Sequence, residues 1–282
     1  MIIAVRRPRG PDFLVIGAQR AGTTWLHSAL RQHPELWLPP VKELHYFDQI
    51  GKPRGWEECR SRFRGRLGSS PPVGLWDFRY FFGKRSDDWY ASLFRKAQLK
   101  GLVAGELTPA YAILTDEIFR RIQRMNSHIK LIFIMRDPVE RSWSAVNNAF
   151  RKGRLNGALT VETALRRARQ PRLRARSIYI DTIRRVESIF PVDQLHYCFF
   201  EDLAQRPTKF LSDILLFLGV ASHDPSALLP AHAINVAARG KAIPAEFEHE
   251  LAKDFLPSVL ELCGRFDGPP QMWRERYEAL IR

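Results

Sequence analysis

The stretch Phe13-Leu-Val-Ile-Gly17-Ala-Gln-Arg20-Ala21-Gly22-Thr23-Thr24-Trp25-Leu26 decides how the rest of the chain is read. Phe13 to Gly17 is a short, partly β-branched apolar run that stops at a glycine, the pattern of a buried strand. Beyond Gly22 the apolar residues Trp25, Leu26, Ala29 and Leu30 recur at helical spacing until Pro34 ends the run. Strand, glycine-bearing turn and helix follow one another without a gap. Such a turn aims backbone N–H groups and the positive end of a helix dipole at one point, which makes it a ready anion site. The opposing reading is a glycine turn made only for packing.

Working outward, Leu102 to Glu106 and Lys130 to Met135 are further strands, and a helix is expected between them over 116–125. Asp137-Pro138 places a capping side chain and a proline where a helix should open, and that helix would carry Arg141 to Phe150. Helices are expected near 160–169, 175–190 and 210–217, a strand at 195–200, and two helices beyond Pro244. Strands that alternate with helices predict a single α/β domain over 1–282, with a P-loop-like parallel sheet flanked by helices on both faces. Residues 1–11 read as an N-terminal extension. Residues 51–88, rich in Gly, Pro, Arg and aromatics between Gly65 and Gly83, read as an irregular insertion, either an acceptor-side lid, a binding loop or a disordered segment.

A chain of 282 residues that is 45% hydrophobic can bury one large core and does not require two domains. It carries no apolar run long enough for a transmembrane segment, and its start lacks the order of a secretory signal. Cys59, Cys198 and Cys263 are odd in number and scattered, which suits a reducing, cytoplasmic setting. The formal charge of +14 is concentrated partly between Arg151 and Arg185, including Arg166, Arg167, Arg169, Arg172, Arg174 and Arg176. That segment is either a solvated helical face or an attractor of an anionic substrate, a nucleic acid or an anionic membrane.

The loop Gly17 to Thr24 differs from an ATP or GTP P-loop in one respect. There the residue after the second glycine is lysine, followed by a Ser or Thr that holds Mg²⁺. Here that position is Thr23, and the cation lies inside the loop as Arg20. The strand at 130–135 runs into Arg136 where an acidic Mg²⁺ ligand would stand. Both changes favour an anion held by protein cations and amides, with no metal required. Arg136 at a strand end and Ser144 two turns along the next helix can reach one phosphate at the carboxyl edge of the sheet.

Taken together these segments resemble the sulfotransferase family that uses 3′-phosphoadenosine 5′-phosphosulfate (PAPS), and within it the heparan sulfate N- and 3-O-sulfotransferase branch. Gly17 to Leu26 looks like the family's 5′-phosphosulfate loop, and Ile134-Met-Arg136-Asp-Pro-Val-Glu-Arg-Ser-Trp-Ser144 its 3′-phosphate motif. Lys42-Glu43-Leu-His45-Tyr-Phe-Asp48 is similar to the segment that carries the catalytic glutamate. Gly105-Glu106-Leu-Thr108-Pro-Ala-Tyr111 resembles an acceptor-side motif, with Leu107 where lysine is usual. Ser177-Ile-Tyr179, Phe217-Leu-Gly219 and Arg239-Gly240-Lys241 match later landmarks.

The resemblance implies Glu43 as general base, Arg20 as stabiliser of the departing 5′-phosphate, and His45 as a group that orients the acceptor or stabilises the transferring sulfuryl group. It implies nucleotide contacts from Arg20, Ala21, Gly22, Thr23, Thr24, Trp25, Arg136, Ser144, Tyr179, Arg239, Gly240 and Lys241. On the acceptor side it implies Lys42, His45, Asp48, Thr108 and Tyr111. The expected cofactor is PAPS, leaving as adenosine 3′,5′-bisphosphate (PAP). The expected acceptor is a hydroxyl or amine of a carbohydrate, glycolipid or other small hydroxylated molecule. A P-loop kinase would instead bind ATP with Mg²⁺. A nucleic-acid binder would show a helix-turn-helix, zinc-finger or aromatic RNA-binding signature, and none is found.

Overall fold

The computed structural model describes residues 9–51, 74–155, 157–220, 223–230 and 242–282. Five strands form one parallel sheet: β1 Phe13–Gly17, β2 Leu36–Trp37, β3 Val103–Leu107, β4 Lys130–Met135 and β5 Leu195–Phe199. Their order is β2-β3-β1-β4-β5. β1 therefore lies at the centre, with Leu14 opposite Glu106 on one side and Leu131 on the other. All five β1 residues are buried, as expected for an uninterrupted apolar run covered on both faces.

The helices flanking the sheet are those the sequence led one to expect, with shifted ends. They are α1 Thr23–Leu30, α5 Asp116–Met125, α6 Pro138–Arg151, α7 Val161–Ala168, α9 Tyr179–Glu187, α11 Pro207–Leu218, α12 Ala245–Cys263 and α13 Pro269–Ile281. Between them lie the short helices α8 Pro171–Ala175 and α10 Phe200–Gln205. The helix expected near 175–190 is α9, which starts at Tyr179; α8 precedes it and ends at Ala175.

The region 51–88 departs from expectation where it is described. Residues 75–88, read as irregular, contain α2 Leu75–Phe82 and the start of α3 Asp87–Ser92, which precedes α4 Arg95–Gln98. The Gly and Pro residues lie mostly before this stretch, and aromatic packing decides its structure. Trp76 stacks on Tyr80 at 5.3 Å, Tyr80 and Phe81 are buried, and the Asp77 carboxylate accepts the Gly74 N–H at 3.1 Å. Tyr90 of α3 is fully buried and stacks on Tyr46 at 4.6 Å. Leu75, Phe78 and Phe82 remain exposed on the other face of α2.

The two C-terminal helices pack on each other and reach the start of α6. Tyr277 of α13 donates its hydroxyl to Asp137 Oδ1 at 2.8 Å and accepts the Val139 N–H at 3.1 Å. Arg276 binds Asp137, Glu140 and, on α12, Glu248. Among the described residues no helix is long and apolar enough to cross a membrane.

Candidate active site

The C-terminal edge of the sheet opens into a cavity of about 1000 Å³. Its floor is the turn between β1 and α1. Gly22 caps α1 at φ 85°, and a Cβ there would lie 2.5 Å from Leu203 Cδ2, so only glycine fits unstrained. Arg20 also has a left-handed backbone, at φ 77°. Its Nε donates to Ser144 Oγ at 2.9 Å, tying the loop to α6. Burial and the neighbouring Arg136 and Arg151 lower the pKa of Arg20 below its usual value.

Arg136 leaves β4 beside this loop. Its guanidinium donates to the Arg20 carbonyl at 3.2 Å, pairs with Glu140 at 2.7 Å and lies 4.5 Å over the Phe200 ring. Asp137 caps α6, its Oδ1 accepting the N–H groups of Val139 and Glu140. Two cations, Arg20 and Arg136, thus stand side by side over the positive ends of α1 and α6.

The segment 42–48 forms the facing wall. Glu43 and His45 both adopt left-handed backbone conformations, φ 59° and 54°. Both side chains line the cavity, while Leu44 between them is buried. His45 Nε2 lies 3.2 Å from Glu43 Oε2, and Nδ1 lies 3.1 Å from Asp48 Oδ2. A carboxylate, imidazole and second carboxylate therefore form one chain that ends in the cavity at Glu43. Lys42 Nζ donates to Thr24 Oγ1 at 2.6 Å and so links this wall to the start of α1. Nearby, burial and Lys42 push the His27 imidazole down to about 4.

A third wall comes from the basic segment. Lys152, Arg154, Arg167, Arg172 and Arg176 line the cavity, with Gln170 among them. Arg176 hydrogen-bonds Gln19 of the loop. Burial, and then Arg172, lower the Arg176 pKa, although Asp48 and Glu43 oppose this. Not all of the basic run faces inward: Arg169 pairs with Glu250 and Asp254, away from the cavity. A second cavity of about 320 Å³ adjoins the first through Arg154, Arg167 and Gln170, and Leu155 and Leu159 give it an apolar side.

Of the residues expected from sequence, Arg20, Gly22, Thr23, Thr24, Trp25, Glu43, His45, Asp48, Arg136 and Ser144 line the main cavity. Ala21 is buried. Three of the expected residues, Tyr179, Thr108 and Tyr111, do not line the cavity. Tyr179 does not face the cavity: it is buried, and its hydroxyl donates to the Arg136 carbonyl at 2.7 Å, so it holds the strand end in place. Thr108 and Tyr111 are fully buried, and their hydroxyls are spent on Glu106, which leaves them no face for an acceptor. Lys42 is bonded to Thr24 and paired with Glu43. Arg239, Gly240 and Lys241 lie outside the described residues.

Sequence reading missed Gln19, Asn148, Gln170 and Phe200 as cavity residues, and treated the arginines of 151–176 only as a run. The helical phase of α7 and α8 would have separated Arg167 and Arg172 from Arg169. Away from the cavity, His33, Glu35 and His223 bring possible metal-ligand atoms within 4.8 Å of one another. His33 Nδ1, however, already accepts the Glu35 N–H at 3.2 Å.

With this geometry in hand, comparison with known proteins assigns the chain to a class. The sulfotransferase domain family matches residues 10–234, and the chain belongs to that family. It is similar to human heparan sulfate glucosamine 3-O-sulfotransferase 5, 26% identical over 222 residues that cover 74% of this chain and 54% of the relative. Human heparan sulfate glucosamine 3-O-sulfotransferase 6 is 32% identical over 138 residues, 49% of this chain and 30% of that protein. The chain thus spans about half, or less, of the length of these curated relatives. Among solved structures, a sulfotransferase from Alicyclobacillus acidocaldarius superposes with a TM-score of 0.65 at 23% identity, covering 94% of this chain and 98% of that one. Mouse sulfotransferase SULT7A1 complexed with PAP has a TM-score of 0.51 at 14% identity, covering 94% and 89%. These two establish a shared fold.

Proposed function

We propose that this chain transfers the sulfuryl group of PAPS to an acceptor hydroxyl or amine by in-line displacement. Glu43 takes the acceptor proton as its oxygen or nitrogen attacks sulfur. The bond between sulfur and the 5′-phosphate oxygen breaks, and PAP leaves with that bonding pair. The observation that carries this reading is the juxtaposition of Glu43, backed by His45 and Asp48, with Arg20 and the α1 amides in one cavity. A positioned base contributes roughly 10²–10⁴-fold. Arg20 and the N–H groups of Gly22, Thr23 and Thr24 stabilise charge on the departing phosphate. Arg136 and Ser144 hold the 3′-phosphate, and Phe200 braces Arg136.

The acceptor is read as a carbohydrate or glycolipid, since the curated relatives named above act on heparan sulfate glucosamine. The wall of Lys152, Arg154, Arg167, Arg172 and Arg176 favours an acceptor with negative charge of its own, because clustered cations draw an anion into a cleft. No nucleic acid is needed to account for that charge once it faces the cavity.

The test uses labelled PAPS with a panel of neutral and acidic glycans and glycolipids, followed by identification of the labelled product. Glu43→Gln should lower kcat by about 10²-fold or more and leave PAP affinity, read by titration calorimetry, unchanged. Full turnover by that variant would remove Glu43 from its role. ATP-Mg²⁺ binding in place of PAP would favour a kinase.

A further inference from the structure

Glu106 is the last but one residue of β3, a carboxylate with 1% exposure inside a core that could have held an apolar side chain. Four donors converge on it: Tyr90 at 2.5 Å, Thr108 at 2.7 Å, Tyr111 at 2.9 Å and the backbone N–H of Leu44 at 3.1 Å. Leu44 is the residue between Glu43 and His45. Tyr111 extends the same grip, accepting the N–H groups of Tyr46 at 3.0 Å and Phe47 at 3.5 Å. Tyr80 completes it by donating to the Leu44 carbonyl at 3.2 Å.

The segment so gripped lies outside the sheet and the α-helices, and it contains two left-handed residues. Such conformations cost on the order of 1–3 kcal/mol each and persist only where the surroundings impose them. A buried carboxylate is itself expensive unless its hydrogen bonds are met, and here they are. Burial pushes the Glu106 pKa upward, while the bonds from Tyr90, Thr108 and Tyr111 pull the other way.

We infer that Glu106 is the positioning residue of the reaction: through Leu44, and through Tyr111 to Tyr46, it fixes the backbone that aims Glu43 and His45 at the acceptor. It touches neither acceptor nor nucleotide. The inference rests on the reading of Glu43 as base. Misplacing a catalytic group by about 1 Å can cost roughly 10²-fold.

The experiment is a double-mutant cycle of Glu106→Gln and Glu43→Gln, with Tyr111→Phe as a milder second probe. Glu106→Gln should lower kcat about 30- to 100-fold, with PAP affinity and acceptor KM within about 3-fold of the parent. Combined with Glu43→Gln it should add no further loss, because both act through one group. Tyr111→Phe keeps Glu106 but frees Tyr46 and Phe47, and should cost about 10-fold in kcat; it carries the test if Glu106→Gln does not fold. Losses that multiply in the double variant, or PAP affinity that falls in step with kcat, would overturn the inference. Full turnover by Glu106→Gln beside an inactive Glu43→Gln overturns this inference alone, whereas full turnover by Glu43→Gln removes the base reading on which it stands.

Discussion

Two sides of the cavity are built on opposite plans. The anion cradle consists of residues that directly continue β1 and β4, so Arg20 and Arg136 are placed by the sheet and by the caps of α1 and α6. The wall that carries Glu43 and His45 lies outside the sheet and the α-helices, and is held by side chains from residues 80, 106 and 111. The first is rigid because of its own sequence. The second is rigid because distant residues make it so. Damage to the cradle should therefore weaken nucleotide binding or stability, with or without turnover, and damage to the other wall should lower turnover alone.

The strongest attempt to break this division is Arg20→Ala. Loss of one charged donor aimed at a leaving oxygen costs about 10²–10³-fold in kcat, and calorimetry should show weakened PAP binding as well. If only the acceptor KM moved, the cradle would have been assigned to the wrong wall. Next comes Gly22→Ala, which combines a left-handed backbone with a Cβ 2.5 Å from Leu203. Urea denaturation should register a loss of about 1–3 kcal/mol.

Glu201 sharpens the comparison through pH. Its Oε1 accepts the Asp137 N–H and the Trp273 indole, both at 3.0 Å, and burial pushes its pKa up to about 7. The fold therefore favours the protonated form. The stabilisation is complete below the ordinary carboxylate range and fades as pH rises through about 7. Glu201→Gln, which stays neutral, should gain on the parent by up to about 1.4 kcal/mol per pH unit between roughly pH 5 and 7. Urea midpoints across that range measure it, and parallel curves would contradict it. The smallest effect belongs to Tyr179→Phe, which removes one hydrogen bond to the Arg136 carbonyl. About 1 kcal/mol of stability is at stake, with PAP affinity a few-fold weaker and kcat unchanged.

These two plans also explain what the sequence disclosed. The cradle was legible because its determinants are local: an apolar run, a glycine turn, a cap-and-proline pair and cations at fixed offsets. Glu43, His45 and Asp48 were legible through their family resemblance, but what holds them was not. The contact from Glu106 to Leu44 spans 62 positions, and nothing at either end announces it. Thr108 and Tyr111 are acceptor-side residues by resemblance alone, and their bonds to Glu106 are invisible until the fold brings the partners together. The basic run needed the phase of two short helices before Arg167 could be told from Arg169. The glycines and prolines that flank α2 suggested a loop throughout, and the buried aromatics within it decided otherwise.

The contact of α13 with Asp137 bears on how the chain can be shortened or joined to other proteins. The family match closes at residue 234, yet Arg276 and Tyr277 brace the residue next to Arg136 from some forty positions further on. A boundary drawn at the end of the match would discard the buttress of the nucleotide cradle along with the last two helices. Engineering at this end should therefore treat Trp273, Arg276 and Tyr277 as part of the support of the proposed donor pocket, however far from it they stand in the sequence.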